Sequence, residues 1–187
     1  MTFRSLELLG DIAKPRTERR NAYQLLLNDI KRRLARGKNA IIVVDGDTGS
    51  GKSTLCMRIA WDIDPLWRED PETAARGLII FSAAEFTALV GYLLQGGEEW
   101  YRGRFIVFEE AGAGASQALA SSAAVQELGH QLDVFRQWQI NIIFNMPSRD
   151  EIRSLVYRHA HYVIWCRDIN ERERVVIARW KLSLIHI

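Results

Sequence analysis

The stretch "IIVVDGDTGSGKST" (41–54) carries the strongest structural signal in the chain. Its first part belongs to the β-branched run "AIIVVD" (40–45), which is typical of a strand buried on both faces. The middle part contains three glycines, which let the backbone turn tightly. The segment after them is predicted to be a helix that ends before Pro65, because proline disfavours a helical residue in front of it. The stretch therefore predicts a strand, a glycine-rich loop and a helix over 52–63.

The loop fits the pattern G-x-x-x-x-G-K-[ST], and the strand before it and the helix after it are the context that the pattern requires. Backbone N–H groups of such a loop face phosphate oxygens, and Lys52 is expected to reach the β- and γ-phosphates. The Ser53 hydroxyl is expected to bind Mg²⁺. We therefore predict a nucleoside triphosphate site formed by Gly46, Asp47, Thr48, Gly49, Ser50, Gly51, Lys52, Ser53 and Thr54.

Strands and helices alternate along the rest of the chain. A helix is predicted over 17–36, and the later strands are predicted at 77–81, 104–110, 140–144, 161–166 and 174–180. The last two are joined by a short turn and predict a C-terminal β-hairpin. The alternation predicts one α/β domain with a mainly parallel sheet covered on both faces. Ligands of such sheets bind beyond the carboxyl ends of the strands.

Polar residues stand at the ends of two predicted strands. We assign Glu109 to the magnesium shell and Glu110 to the attacking water, since acids take these roles in phosphoryl transfer. Asn145 is expected to hydrogen-bond the γ-phosphate or the same water. The alternatives are solvated or helix-capping acids, and a turn asparagine before Pro147. A glutamate that activates water favours hydrolysis over transfer to another molecule.

Two further features of the sequence concern the identity of the nucleotide base and a candidate arginine finger. The segment "NMPS" (145–148) lacks the Asn-Lys-x-Asp pattern of guanine recognition, so ATP is favoured over GTP. Four arginines flank the fourth predicted strand, and Arg136 is our first candidate for a finger that acts on a neighbouring subunit's nucleotide. A surface or salt-bridge role is the simpler alternative for each of them: Arg136, Arg149, Arg153 and Arg158.

Charge is spread unevenly over the 187 residues. The net charge is +2, but residues 1–38 contain ten basic and four acidic side chains. Such a segment can meet DNA, an acidic partner or a membrane surface, or it can be a solvated helix face. Cys56 and Cys166 lack metal-ligand spacing and are expected to be reduced core residues. No apolar run approaches the roughly 20 residues of a membrane span, so a cytoplasmic protein is expected.

The last six residues, "LSLIHI" (182–187), match the translation of CTG TCT CTT ATA CAC ATC, a transposon end used in preparing sequencing libraries. We expect an adapter read-through, with the native chain interrupted near Lys181. A genuine apolar final strand is the alternative. The predicted domain therefore covers residues 1–181.

Three stretches together resemble a known group of proteins. They are "IIVVDGDTGSGKST" (41–54), "FIVFEEAGAG" (105–114) and "INIIFNMPSRDEIRSLVYRHAHYVIW" (140–165). They are similar to the phosphate loop, acidic strand and sensor strand of P-loop ATPases that have an additional strand and a catalytic glutamate. Within that division they most resemble the FtsK–HerA group and the related Zot-like ATPases of archaea, viruses and plasmids.

The resemblance covers residues 38–166 and implies a sheet in the order 5-1-4-3-2. It also implies ring-forming homo-oligomers and ATP-driven movement, packaging or extrusion of DNA. Two positions depart from the group. Glu109 stands where Asp is usual, so its longer side chain must fold back to the metal, and Asn145 stands where Gln or Thr is usual.

Two other functions remain open at this point. A nucleotide or metabolite kinase would need an acceptor pocket and an arginine-bearing lid, and the sequence offers no clear lid between the fourth strand and the hairpin. A nucleotide switch that assembles with further partner proteins would bind ATP without turning it over.

Overall fold

The computed structural model describes residues 16–109, 130, 132–147, 153–170 and 175–182. Its strands are β1 (Ile41–Gly46), β2 (Ile79–Ile80), β3 (Phe105–Phe108), β4 (Asn141–Pro147), β5 (Tyr162–Asn170) and β6 (Val175–Leu182). Its helices are α1 (Arg16–Ala35), α2 (Lys52–Ile63), α3 (Pro65–Glu69), α4 (Pro71–Leu78), α5 (Ala83–Tyr92), a π-helical segment (Leu93–Gly97), α6 (Glu98–Tyr101), α7 (132–137) and α8 (Arg153–His159). None of the helices in these ranges is long and apolar enough to cross a bilayer.

The six strands form one sheet in the order β2-β3-β4-β1-β5-β6. The first five are parallel, and β6 returns antiparallel to β5. This confirms the predicted α/β fold, the sheet order 5-1-4-3-2 and the C-terminal hairpin. The central strand β1 pairs with β4 on one side and with β5 on the other, so the loop that follows it emerges in the middle of the sheet.

Helices cover both faces of the sheet. On one face Phe86 of α5 stacks on Phe108 of β3 and Phe135 of α7, with ring centroids 5.4 and 5.5 Å apart. Neighbouring residues of a strand point to opposite faces, so Asn145, which follows the buried Phe144, points to the other face. There it contacts the first turn of α2. Every residue of β1 and β3 is accordingly buried, as the β-branched sequence of β1 predicted.

The region between α2 and β3 differs from the prediction. The strand predicted at 77–81 contains only Ile79 and Ile80, because Gly77 and Leu78 close helix α4. Helices α3 and α4 were not predicted, although each begins with an aspartate N-cap followed by proline, a common way to start a helix. Ser82 is the N-cap of α5, and its hydroxyl accepts from the Glu85 N–H at 3.2 Å.

Buried and half-buried polar side chains bind the backbone where the parallel strands begin, along what we term the start edge. The Asn141 side chain accepts from the Ala40 N–H at 2.8 Å and donates to the Gly103 carbonyl at 3.0 Å. Asp64 accepts from the Phe105 N–H, also at 3.0 Å. His161 Nδ1 accepts from the Ile41 N–H at 2.9 Å. These bonds satisfy backbone groups that β-pairing leaves open at strand ends.

Protonation of His161 is expected to destabilise the fold. Burial, followed by nearby positive charges, lowers the pKa of this imidazole to about 3. In the unfolded chain the pKa of His161 is about 6.5. Between that pH and about pH 3, the imidazole is therefore protonated in the unfolded state and neutral in the folded state. Stability is then complete above about pH 6.5 and falls towards pH 3, by up to about 1.4 kcal/mol per pH unit from this group. The positive charges that lower the pKa of His161 are those of Arg33, Arg136, His159 and Lys38.

Urea unfolding between pH 7 and pH 5 measures this effect. His161→Asn places an amide oxygen near the position of Nδ1, so it is expected to retain the bond to Ile41 and to lose part of the pH dependence. His130→Asn, at an exposed position, is the control and is expected to keep the wild-type slope. Equal slopes for all three proteins would contradict the prediction.

Candidate nucleotide site

The loop between β1 and α2 has a backbone that depends on glycine. Gly46, Gly49 and Gly51 have φ angles of 148°, 81° and 84°, a region that other residues rarely occupy. Gly46 is also crowded, since a Cβ atom there would lie 2.3 Å from the carbonyl oxygen of Cys166 on β5. A Cβ atom at Gly49 would meet no atom of the described residues within 4 Å, its chain neighbours aside. The first glycine is therefore required by a close backbone approach, and the second by conformation alone.

Helix α2 starts directly at the end of this loop. Its N-cap Gly51 makes no side-chain capping bond, and its first turn contains no acidic residue. The N–H groups of the first turn of a helix have no partner within the helix, and together with the helix dipole they favour an anion. Lys52 Nζ lies over the loop and donates to the carbonyls of Gly46 and Asp47, at 2.8 Å each. We term this side of the sheet the loop edge. The N-terminus of α2 and the Lys52 ammonium together place positive charge at its centre.

Three polar side chains meet beside the loop. The Ser53 hydroxyl donates to Glu109 Oε2 at 2.9 Å. The Asn145 side-chain amide donates to the same Glu109 oxygen at 2.5 Å and to the Ser53 hydroxyl at 3.0 Å. Glu109 and Asn145 are buried, whereas Ser53 is exposed. The residues expected at the metal and at the γ-phosphate are therefore in mutual contact, although 56 and 92 positions separate Ser53 from the other two.

Two buried oxygens of this site have no hydrogen-bond partner among the described residues. They are Glu109 Oε1 and Ser50 Oγ. An unpartnered buried carboxylate oxygen is costly, by about 1–3 kcal/mol or more when charged, unless a cation or donor meets it. A hydroxyl and a carboxylate are ligands that suit Mg²⁺, which usually shares its coordination between one or two protein groups, water and substrate phosphates. The residues present therefore fit a magnesium–triphosphate site.

The structure separates Arg136 from this cluster. The exposed Arg136 lies within electrostatic reach of His161, whose ring binds the first residue of β1. The loop begins at the opposite end of β1, so within one subunit Arg136 is on the start edge. A role towards a neighbouring subunit stays a prediction. Glu110 and Arg149 lie outside the described residues.

Both cysteines lie behind the loop as buried free thiols. Burial raises the pKa of Cys166 to about 12, and burial with the nearby Glu109 carboxylate raises that of Cys56 well above its usual value. Thiols with raised pKa values stay protonated at neutral pH and are poor nucleophiles. They act as small apolar residues that fill the space between α2 and β5.

Sequence reasoning missed one contact of the loop. Tyr157 of α8 donates its hydroxyl to Asp45 Oδ2 at 2.5 Å, and Asp45 Oδ1 accepts from the Gly46 N–H at 2.7 Å. An acid directly before the first glycine was visible in the sequence. Its partner, 112 positions away, was not.

No known protein-family model and no curated protein matches the chain. Solved structures that resemble it include the RadB recombinase, with 18% identity, 72% of this chain and 77% of that chain covered, and a TM-score of 0.45. The genome packaging NTPase B204 from Sulfolobus turreted icosahedral virus 2, in complex with ATP-gammaS, has 18% identity, coverages of 72% and 78%, and a TM-score of 0.41. The Aeropyrum pernix ORC2 protein has 15% identity, coverages of 91% and 53%, and a TM-score of 0.47.

Gly46→Ala is expected to destabilise the fold much more than Gly49→Ala. At Gly46 the new methyl group meets a carbonyl oxygen at 2.3 Å as well as a strained φ, so the cost is expected to be about 3 kcal/mol or more. At Gly49 the space is open and the strain alone costs about 1–2 kcal/mol. Thermal unfolding of the two variants measures the difference, and equal melting temperatures would show that β5 does not confine the loop.

Proposed function

We propose that the protein is a P-loop ATPase that hydrolyses ATP with Mg²⁺. The observation that carries the proposal is the contact of Ser53, Glu109 and Asn145 beside the glycine loop and Lys52. A glycine loop alone would explain phosphate binding. A buried acid joined to the hydroxyl at the start of α2 adds a metal position, and the amide adds a group placed for the terminal phosphate or its water.

Each residue then has a distinct role. Lys52 leaves the loop carbonyls and holds the β- and γ-phosphate oxygens, while the N–H groups of the loop and of the first turn of α2 bind the remaining phosphate charge. Ser53 and Glu109 would hold the metal, Ser53 through its hydroxyl and Glu109 through water. When bound, Mg²⁺ neutralises the charge that develops on the phosphate oxygens. Asn145 orients the γ-phosphate or the attacking water, and Glu110, next to Glu109, accepts the proton of that water.

We further propose that hydrolysis is coupled to movement, packaging or extrusion of DNA by a ring of subunits. The resemblance of the sequence to the FtsK–HerA and Zot-like ATPases supports this assignment. So does a set of cations at the start edge, termed here the basic surface. It consists of Arg32, Arg33, Arg36, Lys38 and Arg136.

The charges of the basic surface reinforce one another. Arg33, Lys38 and Arg136 all lower the pKa of the half-buried His161 imidazole. Burial, together with the charge of Arg136, lowers the pKa of Arg33 itself. Asp29 partly offsets these charges at Arg33. Arg32, Arg36, Lys38 and Arg136 form no ion pair with the residues that the structure describes. A concentration of like charge that a single named acid offsets only in part is the electrostatic pattern of a polyphosphate contact.

Glu110→Gln is expected to bind ATP and to hydrolyse it at least about 100-fold more slowly, because the amide cannot accept a proton from water. Lys52→Ala is expected to lose binding as well as turnover. Glu99→Gln, at an exposed position of α6, is the matched control and should behave as wild type. Phosphate release and ATP binding are measured separately. Wild-type binding without turnover would favour a switch, and transfer to an added nucleoside monophosphate would favour a kinase.

Duplex DNA is expected to raise the ATP turnover of the wild-type protein. Arg32→Ala/Arg36→Ala removes two phosphate contacts and is expected to weaken DNA binding about tenfold at low salt, with a shallower salt dependence. Arg76→Ala is the control, since Glu72 already pairs with that guanidinium. Unchanged turnover with DNA, together with the absence of an oligomer in the presence of ATP and DNA, would contradict the motor function.

A further inference from the structure

A buried carboxylate stands directly in front of the phosphate loop. Asp45 is the fifth residue of β1 and only 1% exposed, yet it belongs to none of the positions that the loop pattern requires. Removing a carboxylate from water is costly unless hydrogen bonds replace the solvent. Its two oxygens accept from different elements, one from the Gly46 N–H and one from the Tyr157 hydroxyl.

Both contacts converge on the first glycine of the loop. The Gly46 N–H is held by Asp45, its carbonyl accepts from Lys52, and its Cα faces the carbonyl of Cys166. Gly46 therefore has little freedom to move along the strand or towards β5. The bond between its N–H and Asp45 adds a further restraint.

Tyr157 determines where that carboxylate points. The tyrosine lies in the last turn of α8, two residues before the helix ends at His159, and is half-buried. Without that hydroxyl, Asp45 loses the bond from Tyr157 to Oδ2, and its carboxylate is held less firmly against the Gly46 N–H. Helix α8 thus holds the loop through one side chain, and it does so from the opposite face of the sheet to Ser53 and α2.

We propose that Asp45 and Tyr157 are positioning residues that preset the phosphate loop for nucleotide. The assignment rests on the proposed function for its nucleotide, but its geometry is a property of the protein alone. A loop held in the binding geometry loses less conformational entropy when phosphate arrives, so binding is tighter. Three hydrogen bonds connect these residues in series. The Tyr157 hydroxyl donates to Asp45, the Gly46 N–H donates to Asp45, and Lys52 donates to the Gly46 carbonyl.

The chain contains a matched control for this pair. Tyr162 donates its hydroxyl to Asp29 Oδ2 at 2.9 Å, again a partly buried tyrosine–aspartate bond between distant elements. That bond joins β5 to α1 near the start edge, away from the loop. Tyr157→Phe and Tyr162→Phe therefore remove the same chemical contact from two places, and only the first place touches Gly46.

Hydrogen exchange of the nucleotide-free protein is the first measurement. Tyr157→Phe is expected to speed exchange of the Gly46 and Ser50 amides about tenfold or more, whereas Tyr162→Phe leaves these amides within about twofold of wild type. Asp45→Asn can still accept from Gly46 and can donate to the tyrosine oxygen, so it is expected to keep most of the protection. Equal exchange of the loop in the two tyrosine variants would overturn the proposal.

Binding of ATP with Mg²⁺ is the second measurement. Tyr157→Phe is expected to raise the Kd about tenfold, Asp45→Asn less than about threefold, and Tyr162→Phe less than about twofold. Wild-type protein that binds no ATP would refute the proposed function, and the exchange data would still decide the positioning role. Wild-type binding with the same Kd in both tyrosine variants would refute the positioning role and leave the proposed function intact.

Discussion

The structure depends on the placement of one strand. β1 pairs in parallel with β4 and with β5, and all six of its residues are buried. A strand that is buried on both faces and bonded on both sides cannot slip by one residue without moving every side chain to the wrong face. Its register therefore decides which residues share the loop edge. Gly46 lies opposite Pro147 on one side and Cys166 on the other.

The two edges of the sheet use polar residues differently. At the start edge, Asn141, His161 and Asp64 bind open backbone groups, and the buried nitrogen without a partner there, Arg104 Nε, belongs to a guanidinium that already pairs with Asp64. At the loop edge, buried oxygens of Glu109 and Ser50 remain without partners among the described residues. The first pattern stabilises the folded chain. The second is the pattern expected of a site whose missing partners arrive with a ligand.

Local chemistry determined which elements were predictable. The β-branched run of β1 and the glycine loop are encoded within fourteen neighbouring residues, so that unit, the sheet order implied by the family resemblance and the residues of the polar cluster could be anticipated. The bonds within that cluster, and the one between Tyr157 and Asp45, depend on packing between segments far apart in the chain. The strand at 79–80 is short because helix α4 continues to Leu78, and Gly77 within that helix packs against the Trp100 ring, 2.8 Å from where a Cβ would lie. No local pattern records such a contact.

The contact between Gly46 and β5 constrains the two chain positions unequally. The atom that limits Gly46 is a backbone oxygen, which every amino acid supplies at position 166. Position 166 can therefore change its side chain, within the volume available, without releasing the loop, whereas position 46 accepts no side chain at all. No side-chain change at position 166 can therefore compensate for a substitution at position 46. A search for pairs of positions that vary together would not detect this contact.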